Sequence, residues 1–140
     1  MVFYVDSCIY LNLWKREERT GVKFWKFAQD FFERVQESGG TIYISPFVFK
    51  ELSFRFDTDT LQHRLEEIRR SSMFENIDAC SDDYREARRL ESASGFEISF
   101  FDCMHTALAK RLGAALVTRD NKLLDFAGGF CAVGRPESFR

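Results

Sequence analysis

Val2 to Leu11 reads VFYVDSCIYL. Four β-branched or aromatic residues run directly into an aspartate, and apolar residues resume two positions later. The run Val2–Val5 is apolar on both faces of a strand, which is the pattern of a strand buried in a parallel sheet. Asp6 then stands where that strand ends. One reading makes it the cap of the helix that starts near Ser7. The other makes it one member of a charged site, and acids in the same kind of place elsewhere in the chain decide between the two.

Three further runs repeat the pattern of the first: TIYI (Thr41 to Ile44), AALVT (Ala114 to Thr118) and FCAV (Phe130 to Val133), with a weaker one around Met73 to Ile77. Between them lie segments of helical period. Phe24, Phe27, Ala28, Phe31 and Val35 form an i, i+3, i+4, i+7 stripe that Gly39-Gly40 ends. Ser45-Pro46 reads as a cap followed by proline at the first helical position. Leu61, Leu65 and Ile68 line another helix. Ser81, with acids behind it, caps a fourth, and Ser99 caps a fifth that closes at Gly113. Strands alternating with helices predict a parallel sheet covered on both sides, a three-layer α/β/α sandwich. No linker, repeat or low-complexity stretch interrupts residues 1–140, so a single α/β domain is expected.

Bulk composition narrows the function. The chain has 140 residues, 45% of them hydrophobic, enough for a core of its own. No apolar run approaches the roughly 20 residues that cross a bilayer, and no basic-then-apolar leader opens the chain. Cys8, Cys80, Cys103 and Cys131 are scattered without a CxxC or a histidine partner, which points to reduced thiols in a cytoplasmic protein rather than zinc or disulfides. The formal net charge of −2 argues against a protein that coats nucleic acid. Contact with nucleic acid would need a local patch, bridging metal ions or a basic partner.

In open parallel sheets, ligands bind beyond the carboxyl ends of the strands. Asp6 follows the first strand, and Asp120 follows AALVT by one residue in VTRDNKLL. Asp102 lies in the first turn of its helix, and Glu51 lies about one and a half turns into the helix after TIYI, among Phe47, Val48, Leu52 and Phe54. Asp6 alone reads as a helix cap and Asp102 as a first-turn acid, whereas Glu51 is harder to explain that way. A lone Glu beside a buried face is costly, and four acids from four segments at one sheet edge form a pattern. Such a cluster would raise its own pKa values and is tolerable when a divalent cation neutralises it. Oxygen donors alone favour Mg2+ or Mn2+, and that combination suits phosphodiester hydrolysis.

On these residues the sequence resembles the PIN-domain ribonuclease family, and within it the VapC-type toxins of toxin–antitoxin pairs. YVDSCIYLNLW is similar to the family's opening strand, ISPFVFKELSF to its block carrying the glutamate, and ISFFDCMHTALAKRLGAALVTRDNKLL to its third block. The tail VGRPESF resembles the family's ending. Asp57 to Gly95 matches only in helical pattern, so the ordered set of four acids carries the likeness. It implies a PIN-like parallel sheet of about five strands and a metal-dependent endoribonuclease with a Mg2+ or Mn2+ site. Asp6, Glu51, Asp102 and Asp120 would hold the metal, oriented by Ser7 and Thr118. It also implies an RNA substrate, an antitoxin partner and a homodimer.

Other residues carry weaker signals. Asn121 follows Asp120 where the family often has another charge, which leaves Asp125 as a substitute or as a solvated helix residue. His105 lies three residues after Asp102 and shares its helix face; it reads as a phosphate contact, a proton carrier or a satisfied buried polar group. His63 reads as solvated. Lys15, Arg16, Arg19 and Arg119 are candidate RNA contacts. The stripe of Phe24, Phe27, Phe31 and Phe32, with Trp14 and Trp25, exceeds what one helix face needs and suggests a second subunit or an antitoxin segment. Competing readings are an RNA-processing nuclease without antitoxin, and a catalytically weak binding or regulatory subunit. A phosphoacceptor receiver domain lacks support, because no acidic pair follows the first strand and no lysine follows the last.

Overall fold

A computed structural model describes residues 1–140. The chain opens with β1 (Val2–Val5) and α1 (Ser7–Trp14), then a hairpin of β2 (Glu18–Arg19) and β3 (Val22–Lys23). α2 (Phe24–Ser38), β4 (Thr41–Ile44), α3 (Pro46–Ser53), α4 (Thr58–Arg70) and β5 (Phe74–Asn76) follow. The second half runs α5 (Ser81–Ala93), α6 (Phe100–Leu112), β6 (Ala115–Val117), α7 (Asn121–Ala127), β7 (Val133–Gly134) and a 3-10 turn, Pro136–Ser138.

Five strands make one sheet in the order β5-β4-β1-β6-β7, and every pairing is parallel. The chain steps outward from β1 to β4 and β5, then returns across β1 to β6 and β7. With right-handed crossovers, α1 to α4 cover one face and α5 to α7 the other, which is the three-layer α/β sandwich the alternation implies. β1 and β6 are neighbours in the sheet but lie far apart in the chain, with Val5 beside Val117. Their carboxyl ends form the switch point of the sheet, where a parallel fold opens a crevice.

Thirty buried apolar residues form one core, drawn from both faces of the sheet. Of the α2 aromatics, Phe31 and Phe32 enter the core, while Phe24, Trp25 and Phe27 stay half-buried outside it. Phe31 packs edge-on against Phe3 at 5.1 Å, and Phe32 lies 5.5 Å from Tyr10. The tail closes over the same region: Phe139 sits 5.4 Å from Phe3, and Arg34 donates to the carbonyls of Pro136 and Phe139.

Three local features differ from the sequence pattern. The last strand forms at Val133–Gly134 rather than over Phe130 to Val133, because the N–H groups of Phe130 and Cys131 turn back to the Ala127 carbonyl and prolong the end of α7. The cap of α5 is Cys80, not Ser81: Asp83 accepts from the Cys80 N–H at 2.9 Å in a reciprocal capping box. The β2–β3 hairpin has no alternating apolar run to announce it. It rests on Thr20-Gly21, both at positive φ (49° and 80°), as a two-residue hairpin turn requires.

Candidate active site

Asp6, Glu51, Asp102 and His105 meet above the switch point. One donor atom from each lies within 4.8 Å of all the others. They come from the end of β1, the second turn of α3 and the first two turns of α6. No lysine or arginine pairs with any of the three acids; their only basic neighbour is His105.

Asp6 occupies the cap position of α1 but makes no capping hydrogen bond with its side chain. Its carboxylate faces the sheet edge instead. Thr118 Oγ1 donates to Oδ2 at 2.8 Å, and the Cys8 thiol donates to the same oxygen at 3.3 Å. Ser7 Oγ approaches Oδ1 at 3.5 Å, a long contact that orients weakly. The sequence marks Cys8 only as a reduced thiol. Burial, reinforced by the charge of Asp6, raises its pKa well above the ordinary thiol value, so it stays a neutral donor.

Asp102 is placed by its helix end. Ser99 Oγ accepts from the Asp102 N–H at 3.2 Å, as the cap of α6. Burial, with the charges of Asp6 and then Glu51 and Asp120 adding and His105 opposing, pushes the Asp102 carboxyl up to about 6. A folded chain that holds a carboxyl in such surroundings disfavours its ionisation.

Glu51 accepts from His105 Nε2 at 2.5 Å. The other ring nitrogen, Nδ1, lies 2.6 Å from the hydroxyl of Tyr4, and that hydroxyl lies 2.6 Å from Ser45 Oγ. Tyr4, Ser45 and His105 have no exposed surface. Burial pushes the Tyr4 phenol far above its ordinary value, so it remains protonated. Burial alone would lower the histidine, but the hydrogen bond to Glu51 and the charges of Asp6, Glu51 and Asp102 outweigh it and hold the ring above its ordinary value.

Asp120 stands apart from this group of four. It is exposed at the cap of α7, where Oδ1 accepts from the N–H groups of Lys122 and Leu123 at 2.9 and 3.2 Å. Its own N–H donates to Thr118 Oγ1 at 3.2 Å, so it flanks the cluster through the threonine that holds Asp6. Asp125 is exposed on α7.

Two cavities of about 520 Å3 flank the acids. One is lined by Asp120 and Cys8 together with Arg19, Arg55, Arg119 and Arg135. The other joins Ser7 and Glu51 to Phe54, Phe100 and Phe101. Arg119 is tied on both sides: its guanidinium pairs with both oxygens of Glu137 at 2.6 and 3.0 Å and lies 4.4 Å from the ring of Phe24. Lys15 and Arg16 lie over aromatic rings, Phe56 at 4.9 Å and Trp25 at 4.7 Å. A larger cavity of about 620 Å3 opens beside Met1, Phe3 and Phe139, at the opposite end of the strands from these acids.

A divalent cation suits this donor set. Three buried or half-buried carboxylates with no lysine or arginine partner, and only His105 beside them, gather negative charge, and oxygen donors of this kind select hard divalent ions. A parallel α/β sandwich with an acidic crevice at its switch point places a candidate cation site where such sheets bind ligands, and the comparisons narrow the class. The PIN-domain family model matches residues 3–129, and the chain belongs to the PIN-domain family. No curated protein sequence is significantly similar to it.

The fold is shared with chains of solved structures. VapBC2 from Rickettsia felis, bound to a DNA fragment from its promoter, superposes with a TM-score of 0.71 at 20% identity, covering 96% of this chain and 98% of that one. FitAcB from Neisseria gonorrhoeae gives 0.65 at 17% identity, over 98% and 99% of the two chains. A toxin–antitoxin complex from Klebsiella pneumoniae gives 0.68 at 18% identity, over 96% and 97%.

Proposed function

We propose that this PIN-domain protein is a Mg2+- or Mn2+-dependent endoribonuclease and the toxin of a toxin–antitoxin pair. The observation that carries the reading is the convergence of Asp6, Glu51 and Asp102, from three separate segments, on a site with no lysine or arginine to balance them. These three acids would hold the cation, and Asp120 would flank it. When bound, the cation supplies positive charge at a phosphodiester oxygen and a more acidic water. The chain's own residues do the positioning: Thr118 and Cys8 fix Asp6, and Ser99 fixes the start of α6 at Asp102.

The arginine-lined cavity beside the acids supports a phosphate-bearing substrate. Arg19 and Arg55 are exposed there and make no ion pair within the chain, so they can meet backbone phosphates. With a net charge of −2 overall, attraction to RNA is local to this cavity. The solved complexes that share the fold support an antitoxin as partner. A homodimer and a cytoplasmic site of action complete the proposal; no helix is long and apolar enough to cross a membrane.

The chemistry is tested with RNA carrying a single 2′-deoxy substitution on the 5′ side of a mapped cut. Attack by water does not need that hydroxyl, so cleavage persists and leaves a 5′-phosphate. Loss of cleavage at the substituted position, with a 2′,3′-cyclic phosphate at the same cut in unsubstituted RNA, would replace this reading with attack by the 2′-hydroxyl.

A further inference from the structure

The buried series Ser45–Tyr4–His105–Glu51 goes beyond what a carboxylate metal centre requires. An ionised carboxylate only accepts hydrogen bonds, so the 2.5 Å contact with Glu51 Oε1 places a hydrogen on His105 Nε2. That holds whether the ring is neutral or charged. The Tyr4 hydroxyl at Nδ1 can donate to a bare nitrogen or accept from a protonated one, and Ser45 completes either arrangement. The ring is therefore locked in one orientation in both states.

Ser45 shows that this arrangement is favoured over an obvious alternative. It stands at the cap of α3 with extended backbone, yet its hydroxyl makes no capping bond and turns to Tyr4. The helix it leaves uncapped by side chain is the one that carries Glu51. Tyr4 and Asp6 are two apart on or just beyond β1, so they leave the sheet on the same side. One strand thus delivers a carboxylate and the group that steers the histidine behind it.

We propose that His105 is a positioning residue. Locked by Tyr4 and Ser45, it donates Nε2–H to one oxygen of Glu51, holds that carboxylate ready for the cation, and is not itself a ligand. The inference rests on the cation site proposed above. It assigns the site three carboxylate ligands and no nitrogen, which favours Mg2+ and Mn2+ over Zn2+.

Two measurements on the intact protein test it. The first is ring 15N NMR of histidine-labelled protein, with and without Mg2+; there are only two histidines, and His63→Gln identifies the other signal. Nε2 is expected to keep its hydrogen in both conditions, and a bare Nε2 in either overturns the proposal. The second is calorimetric titration with Mn2+. His105→Leu is expected to weaken binding by roughly 10- to 100-fold, as loss of a partner behind a ligand does. Tyr4→Phe should weaken it less, and His105→Gln, which keeps an N–H, should recover part of the loss. If His105→Leu and Tyr4→Phe bind Mn2+ as tightly as wild type, the positioning role is wrong and the metal centre stands. If wild type binds no Mn2+, the metal centre itself is wrong.

Discussion

Replacing Asp102 by asparagine should stabilise the metal-free protein. The carboxyl is raised from 3.8 to about 6, chiefly by burial and then by Asp6. A shift of that size corresponds to about 3 kcal/mol of penalty for the ionised form. The sign follows from linkage. A raised carboxyl costs the folded state nothing below pH 3.8, costs increasingly as pH rises toward 6, and costs the full amount above it. Asparagine has the same shape without the charge. Its amide needs partners of its own, which reduces the net gain to about 2 kcal/mol at pH 8. For a chain of this length that is roughly 4–8 °C in Tm. The assay is urea unfolding of wild type and Asp102→Asn in EDTA across pH 4 to 8. The advantage should be largest at pH 8, shrink through pH 6 and vanish near pH 4. Mg2+ should stabilise wild type alone and narrow the gap. An Asp102→Asn protein as stable as wild type or less stable at pH 8 in EDTA would refute the electrostatic reasoning.

Other variants probe the supports of the site. Asp83 is buried and accepts from Arg111 at 2.9 and 3.1 Å and from Cys80, which ties α5 to α6. Burial would raise its carboxyl, but these hydrogen bonds outweigh it and hold the pKa below the ordinary 3.8. Asp83→Asn should cost roughly 2–4 kcal/mol in urea unfolding at pH 7, and the difference should close as pH falls below the ordinary carboxylate range. Ser99→Ala removes the cap of α6 and should cost about 1 kcal/mol, read as a lower unfolding midpoint. Arg19→Ala and Arg55→Ala should raise KM for RNA several-fold with little change in kcat, and each should reduce the salt dependence of binding by about one phosphate contact. Arg119→Ala should in addition lower Tm, since Arg119 anchors Glu137 and covers Phe24.

Much of this arrangement was legible in the sequence because it depends on local pattern. Doubly apolar runs located β1 and β4 residue for residue, and their alternation with helices implied the parallel sheet. The three acids that meet could be placed because each is fixed by an element end: Asp6 by β1, Asp102 by the Ser99 cap, Glu51 by the helix that Pro46 starts. What escaped depends on tertiary context. Nothing local distinguishes a Ser45 that caps its helix from one that turns to Tyr4, and nothing in VFYV marks Tyr4 as more than core. His105 was visible as a neighbour of Asp102, but its bond to Glu51 exists only once α3 and α6 converge. Asp120 shows the reverse: the sequence position matches the acidic pattern, while the side chain is engaged with the first N–H groups of α7.

The most direct measurement of the central claim is cleavage of a mixed RNA pool by purified protein, stripped with EDTA and then supplied with Mg2+ or Mn2+, beside Asp6→Asn. Asp6 is the acid held at the end of β1 by Thr118 and Cys8, and its replacement should leave the fold intact by circular dichroism. The account predicts discrete cuts that appear only with the cation and only in wild type. Equal cleavage by wild type and Asp6→Asn, or cleavage that persists in EDTA, would contradict it.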